Sequence, residues 1–437
     1  MLTYCRVCCA VESVCALPAG VIQGFETTSK NIRRMSGFTK NLRAAEDAMD
    51  VVREAVKNLK EQVTATRRDL HRIPETGFNE VKTSAYVAER LKSLGLEVRT
   101  GIAKHGVVGL LRTATPGPTL MIRADMDALP ITEQTGLAFA SAHTGCMHAC
   151  GHDSHMAMAL GAAAVLNGMK DRMKGNVKFV FQPAEEGPGG AKPMIEAGVM
   201  ENPTVDYAIG CHLWAERPEG YIGVRPGPFM AAMDRFDLKI IGKAGHGAQP
   251  HLCVDALEVG TQVVAALQRI VSRHMNPIEP AVVTVGMFHA GTAFNITPAE
   301  ALMSGTTRTF NDEIWRSWKT RIERVVSGVC QSMSASYELN FTWGYPPTVN
   351  DPGMSAVVRR CAVQVVGEER VVEPDLTMGG EDMAFFLKRV PGCYYCIGVG
   401  RPGAAPLHNP NFDFNEDVML LGVETHCRVA LDLLSLT

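Results

Sequence analysis

Val177-Lys-Phe-Val-Phe-Gln-Pro-Ala-Glu-Glu-Gly187 opens as a short apolar run and closes on two adjacent carboxylates, Glu185 and Glu186. A run of this length, ended by a proline and followed by glycines, predicts a buried strand that stops in a defined loop. Adjacent carboxylates repel unless a proton or a cation lies between them. A solvated acidic turn would relieve the repulsion in water, but Pro183 and the glycines at 187, 189 and 190 tie this turn to the end of the strand. One carboxylate acting as metal ligand, with the other free as general base, resolves the conflict and suits hydrolysis.

Working outward, apolar runs at 106–111, 119–123, 177–181 and 207–211 alternate with helical spacing at 154–169 and 191–197, after helices at 44–70 and 83–94. Strands alternating with helices predict a mixed, largely parallel sheet with helices on both faces. Residues 235–344 read differently. Strands at 236–241, 281–288, 300–309 and 337–343 and helices at 255–271 and 312–332 follow the order β-α-β-β-α-β, a ferredoxin-like α+β unit. The chain then returns to the first domain, with helices at 354–366 and 381–389, a strand at 394–399 and a closing helix from 416. The expected organisation is an unassigned extension (1–43), a catalytic metal-binding domain (44–230 and 346–437) and an inserted domain (231–345).

At 437 residues, two domains are the prior. Hydrophobic content of 46%, charged content of 20% and a net charge of −3 describe an ordinary globular chain with no basic stripe for nucleic acid and no membrane-spanning run. Thirteen cysteines, irregularly spaced in a long chain, fit reduced thiols and a cytoplasmic setting better than a disulfide framework. Cys393-Tyr-Tyr-Cys396 has redox spacing, but ordinary core cysteines in a strand are the simpler reading. The first 43 residues, with Cys5, Cys8, Cys9 and Cys15 and with Arg33-Arg34 before Met35, read as a targeting segment or as residues upstream of the true start.

The remaining chemistry gathers around the strand ends. Residues 143–155 hold four histidines and two cysteines, including Cys150-Gly-His152, where Gly151 lets the chain turn a thiolate and an imidazole toward one cluster. Asp125 and Asp127 follow the 119–123 run, His212 follows 207–211, and His408 opens a loop of Asn and Pro. Sites in open α/β sheets collect outside the carboxyl ends of strands. A lone histidine such as His212 or His408 is ordinarily structural; the case for these two is their fit with the other pieces. In the inserted domain, glycines flank His246, and Asn295 and Arg308 are groups able to bind a carboxylate.

With these motifs in hand, the chain resembles the aminoacylase/carboxypeptidase-G2 family of dinuclear metallopeptidases, and within it the amidohydrolase branch of hippurate hydrolases, N-acyl-amino-acid deacylases and IAA-amino-acid hydrolases. The matching motifs run from about residue 48 to the C-terminus and include Asp-Leu-His-Arg-Ile-Pro-Glu (69–75), Arg-Ala-Asp-Met-Asp (123–127), His-Ala-Cys-Gly-His-Asp (148–153), Gln-Pro-Ala-Glu-Glu-Gly (182–187), Gly-His-Gly-Ala-Gln-Pro-His (245–251), Gly-Gly-Glu-Asp-Met (379–383) and Leu-His-Asn-Pro-Asn-Phe-Asp (407–413). The pair Gly379-Gly380 departs from relatives that carry a serine there.

The resemblance implies two divalent ions per subunit, Mn or Zn first and Co or Ni next. Cys150, His152, Glu186, His212 and His408 would be the ligands, with Cys150 bridging, Glu185 the general base and Asp127 the carboxylate that orients a ligand. It further implies that His246 reaches an oxyanion across a dimer, that Asn295 and Arg308 grip a substrate carboxylate, and that the inserted domain makes a homodimer or tetramer. The expected substrate is a small N-acyl-L-amino acid. A dipeptidase or carboxypeptidase on the same site is the alternative, and a metal-free, non-catalytic binding protein is the reading from another class.

Overall fold

The computed structural model describes residues 51–436. The expected N-terminal extension, with its four cysteines, lies outside them, as do the first residues of the helix expected at 44–70.

An eight-stranded sheet forms the larger layer. At its centre Lys174–Gln182, Thr115–Asp125, Tyr207–Pro218 and Gly392–Gly400 lie side by side and parallel. Glu97–Ile102 and Gly106–Arg112 extend one edge antiparallel. Successive residues of a strand point to opposite faces, and here each face meets its own core. Ile122, Phe179 and Ile397 join a cluster with the helix His152–Gly168, while Met121, Val180 and Cys396 join a second cluster with Met194 and Phe386. Burial on both faces is why these strands read as nearly unbroken apolar runs. The helix His152–Gly168 is apolar almost all round and correspondingly buried.

A four-stranded antiparallel sheet carries the β-α-β-β-α-β unit, with Ala232–Ile241 between Glu300–Thr309 and Ser336–Tyr345, and Ala281–Ala290 at the edge. Its strands alternate: Phe236, Leu238 and Ile240 are buried against Val263, Leu267, Trp318 and Ile322 of the helices Ala256–His274 and Asp312–Ser332, and the other face is open. Asp255 and Asn311 start those helices by accepting amides of their first turns.

Three local expectations change. The helix expected at 381–389 is a single turn, Ala384–Leu387. Glu381 and Asp382 both face Arg123, and the Glu381 carboxylate accepts the Met383 amide as an N-cap does, so the helix begins only after the two acids. His152 is the first residue of a helix rather than part of a loop, the chain turning at Gly151 with φ 84°. His212 lies within its strand, which runs on to Pro218 instead of stopping at Cys211. The nine cysteines of the described residues are free thiols, and Cys393 and Cys396 are core residues of one strand. No helix among the described residues is long and apolar enough to cross a membrane.

Candidate metal centre

The centre is assembled on a buried arginine. Arg123, in the middle of the sheet and 2% exposed, donates from Nη1 to Asp125 (2.7 Å), from Nη2 to Asp382 (3.0 Å) and from Nε to Gln182 (2.9 Å). Glu381 lies 3.0 Å from the same guanidinium and accepts from the Tyr394 hydroxyl at 2.6 Å. Buried carboxylates are tolerable only when paired in this way.

Asp125 passes the order outward. Its Oδ1 accepts from His155 Nδ1 at 2.6 Å, and His155 Nε2 accepts the Leu213 amide at 3.0 Å, which fixes that ring's tautomer and the strand segment bearing His212. Asp127, two residues on, does three jobs at once. Its carboxylate accepts the amides of Glu185 (2.9 Å) and Glu186 (3.0 Å), and its carbonyl accepts from His152 Nδ1 (2.8 Å). The Nε2 of His152 is thereby left buried and without a hydrogen-bond partner.

Around that orphaned nitrogen the donor atoms converge. Cys150 Sγ is 3.3 Å from both His212 Nε2 and His408 Nε2, and His408 Nε2 is 3.0 Å from Glu186 Oε1. His408, in the left-handed region at φ 62°, is anchored by its amide to the Ala149 carbonyl at 2.8 Å. Ligand atoms of Cys150, His152 and His212, of Cys150, Glu186 and His408, and of His152, Glu185 and Glu186 each lie within 4.8 Å of one another. A thiol, three imidazoles and a carboxylate suit borderline-soft divalent ions, and the unpartnered His152 Nε2 is where such an ion would complete the bonding. All five residues that the resemblance names as ligands are therefore in one place.

The two adjacent glutamates are electrostatically unlike. Burial pushes the Glu185 carboxyl well above its ordinary range, and Glu381 and Glu186 add to the rise. Burial acts in the same sense on Glu186, but the His408 hydrogen bond and the charge of His152 outweigh it and draw its pKa down to about 2. The Cys150 thiol is pushed up by burial and by both glutamates, and burial and His155 push His212 down to about 3.

The three residues singled out in the inserted sheet stand apart. His246 is exposed on the two-residue ladder Gly245–His246 with Ile296–Thr297, its Nδ1 accepting the Ala248 amide at 3.1 Å. Asn295 is exposed beside it, its carbonyl accepting the Gly247 amide at 2.9 Å. Arg308 is half-buried and donates from Nε to the Met378 carbonyl at 3.2 Å, next to the Gly379-Gly380-Glu381 turn. Among the described residues, none of the three makes a hydrogen bond or ion pair with Cys150, His152, Glu185, Glu186, His212 or His408.

Residue types and spacing missed the role of Arg123 and of the acid pair Glu381–Asp382. The available signal was an arginine inside the apolar run Leu120-Met-Ile-Arg-Ala-Asp125, a charge that no buried strand holds without partners.

A doubly covered sheet with a metal-competent donor cluster at its strand ends and a spare buried carboxylate is an arrangement suited to metal-assisted hydrolysis. The chain belongs to peptidase family M20/M25/M40, whose profile matches residues 121–432. It is 46% identical over 319 residues to an N-acyl-L-amino acid amidohydrolase of Geobacillus stearothermophilus, covering 71% of this chain and 86% of that one. It is 39% identical over 392 residues to thermostable carboxypeptidase 1 of Saccharolobus solfataricus, covering 88% and 98%. A dinuclear metal-binding peptidase of the M20 family from Bacillus subtilis shares the fold with a TM-score of 0.75 at 34% identity, covering 86% of this chain and 99% of that one.

Proposed function

We propose that this chain hydrolyses the amide bond of small N-acyl-L-amino acids, releasing a carboxylic acid and an amino acid. The observation that carries the reading is the asymmetry of the glutamate pair: Glu186 is engaged with His408, whereas Glu185 is buried among acids that favour its protonated form. Cys150, His152, Glu186, His212 and His408 would hold two divalent ions, Mn or Zn first. When bound, these ions supply the Lewis acidity that makes water nucleophilic and polarises the carbonyl.

Glu185 accepts the proton of the attacking water and delivers it to the leaving nitrogen; a group used in both directions needs a pKa displaced toward the working pH. Asp127 holds both glutamate amides and thereby sets the distance between ligand and base. His246 donates to the oxyanion, and Asn295 and Arg308 hold the substrate carboxylate. Because His246 lies on its own exposed ladder and Asn295 beside it, the proposal places them at the active site of a second copy in a homodimer formed through residues 231–345, with 44–230 and 346–437 as the catalytic domain. The carboxypeptidase among the relatives supports a second reading, in which the acyl group is itself an amino acid.

The test is amino-acid release from N-acetyl-, benzoyl- and indoleacetyl-amino acids and simple dipeptides, on chelator-stripped protein with and without Mn or Zn. Metal-restored cleavage of one acyl class is the expected result. Cleavage of dipeptides alone would transfer the proposal to the peptidase reading. Silence with no metal bound would leave a non-catalytic protein on this fold.

A further inference from the structure

The turn bearing Glu185 and Glu186 is held from a second side, by a carboxylate outside the cluster. Glu80 is 0% exposed. It occupies the N-cap position of the helix Val81–Ser93, where a shorter Ser, Thr, Asp or Asn side chain would accept amides of the first turn. Here it makes no such bond. The amides of Lys82 and Thr83 are taken by Glu75 instead, at 3.1 and 2.9 Å. Glu80 is thereby released to reach across to the other loop, where its Oε1 accepts the Ala184 amide at 2.8 Å.

The contact is costly to maintain. Oε2 is buried without a hydrogen-bond partner, although the amides of Phe78 and of Glu80 itself favour the charged form. Burial nevertheless raises the Glu80 pKa to about 7, and Asp127 adds to the rise. Ala184, at one end of the contact, and Phe78, two residues before Glu80, adopt left-handed backbone that non-glycine residues avoid, at φ 55° and φ 59°. The two loops are also pressed together at Gly77, where a Cβ would lie 2.6 Å from the Gly187 carbonyl. A buried acid with an idle oxygen, bonded to a strained residue of another loop, lowers stability rather than raising it, which points to a role for the contact itself.

We propose that Glu80 is a positioning residue for the base: by holding the Ala184 amide, it fixes the left-handed turn that aims Glu185, opposite the grip that Asp127 exerts on the next two amides. This rests on the reading of Glu185 as general base. What Glu80 contributes is an acceptor oxygen at the right reach, and charge is incidental.

Two variants separate reach from charge. Glu80→Asp keeps the carboxylate but is a methylene too short, whereas Glu80→Gln keeps an acceptor oxygen at full reach and loses the charge. With metal-loaded protein and its best N-acyl amino acid, Glu80→Asp should lose about 100-fold in kcat, with KM and metal content nearly unchanged, the scale expected for misplacing a reacting group by about 1 Å. Glu80→Gln should restore kcat to near the parent. Amide hydrogen exchange of residues 183–190 should quicken in the Asp variant and not in the Gln variant, a readout that needs no substrate. A Glu80→Gln loss as large as that of Glu80→Asp, an active Asp variant, or a kcat loss that follows loss of metal would each overturn the assignment. Glu185→Gln in the same assay keeps the premise separate: if it remains active the base assignment fails, while the exchange contrast still decides whether Glu80 holds the turn.

Discussion

Cys150 and His246 are both presented by glycine-marked turns, yet their surroundings are opposite. Cys150 is buried between two imidazoles, and each neighbouring element is tied down: the His212 strand to Asp125 through His155, the Glu186 turn to Asp127, and the His408 loop to the Ala149 carbonyl. His246 is exposed and is held only within its own loop. The difference teaches that the reacting cluster is finished by a single chain, at the expense of burying several acids around one arginine. On the proposed reading, the groups that grip the substrate and its oxyanion would be completed by another surface. Preorganisation is concentrated where charge develops during reaction, and the exposed ladder keeps the substrate side open.

That contrast can be broken at its strongest point first. Glu185→Gln removes the proposed proton acceptor while keeping the side-chain shape beside Asp127 and the donor cluster. It is expected to lower kcat by about 10³-fold or more with both metals retained, the upper part of the range for a general base. Metal analysis beside steady-state kinetics decides it, and a variant with parent-like turnover would take the base role from Glu185. Arg123→Met tests the foundation. It leaves Asp125, Glu381 and Asp382 buried without their cation, an error expected to cost about 3–5 kcal/mol. Urea unfolding should show the loss as a lower midpoint at constant slope. A loss below about 1 kcal/mol, the scale of a surface pair, would mean that the arginine does not organise the centre.

How far the sequence disclosed this arrangement differs between the same two regions. The central strands declared themselves because burial on both faces demands unbroken apolar runs, and the β-α-β-β-α-β order followed from the succession of strand and helix patterns. The donor residues were legible as types at strand ends, and the family motifs named which ones. What stayed hidden depends on side-chain direction. Nothing in Glu381-Asp-Met383 shows that its acids would turn to Arg123 and leave the helix to start after them. Nothing in Phe78-Asn-Glu80 shows an N-cap that serves a different loop. The edge strand Glu97–Ile102 was missed because it is mostly exposed and carries no apolar pattern.

The exposed side of the comparison is sharpened by His246→Ala, expected to slow turnover by about 100-fold, the usual cost of losing an oxyanion donor. The stronger version mixes subunits. If His246 serves a neighbouring copy, coexpressed His246→Ala and Glu185→Gln chains rebuild an intact site in each heterodimer, and random pairing restores about a quarter of parent activity. No recovery in verified heterodimers would return His246 to its own subunit or remove it from catalysis.

The smallest expected effect lies behind the cluster, at His71. This fully buried ring is 2.7 Å from Asp153, the neighbour of His152, and 3.3 Å from Glu133. Burial alone would lower its pKa, but the hydrogen bonds to Asp153 and Glu133 outweigh burial and raise it to about 9. Both partners agree in direction, Asp153 held well below the carboxylate range and Glu133 at about 2. Because the folded pKa exceeds the ordinary value of 6.5, the stabilisation is fully present below pH 6.5 and drains away as pH rises through 9. Its ceiling is about 3 kcal/mol. His71→Asn keeps a polar side chain but cannot gain a proton, so its urea midpoint should fall less than the parent's between pH 6.5 and 9.5. Parallel slopes would show that His71 is neutral in the fold, and the Asp153 carboxylate would then depend on Arg67, 2.9 Å away, for its charge partner.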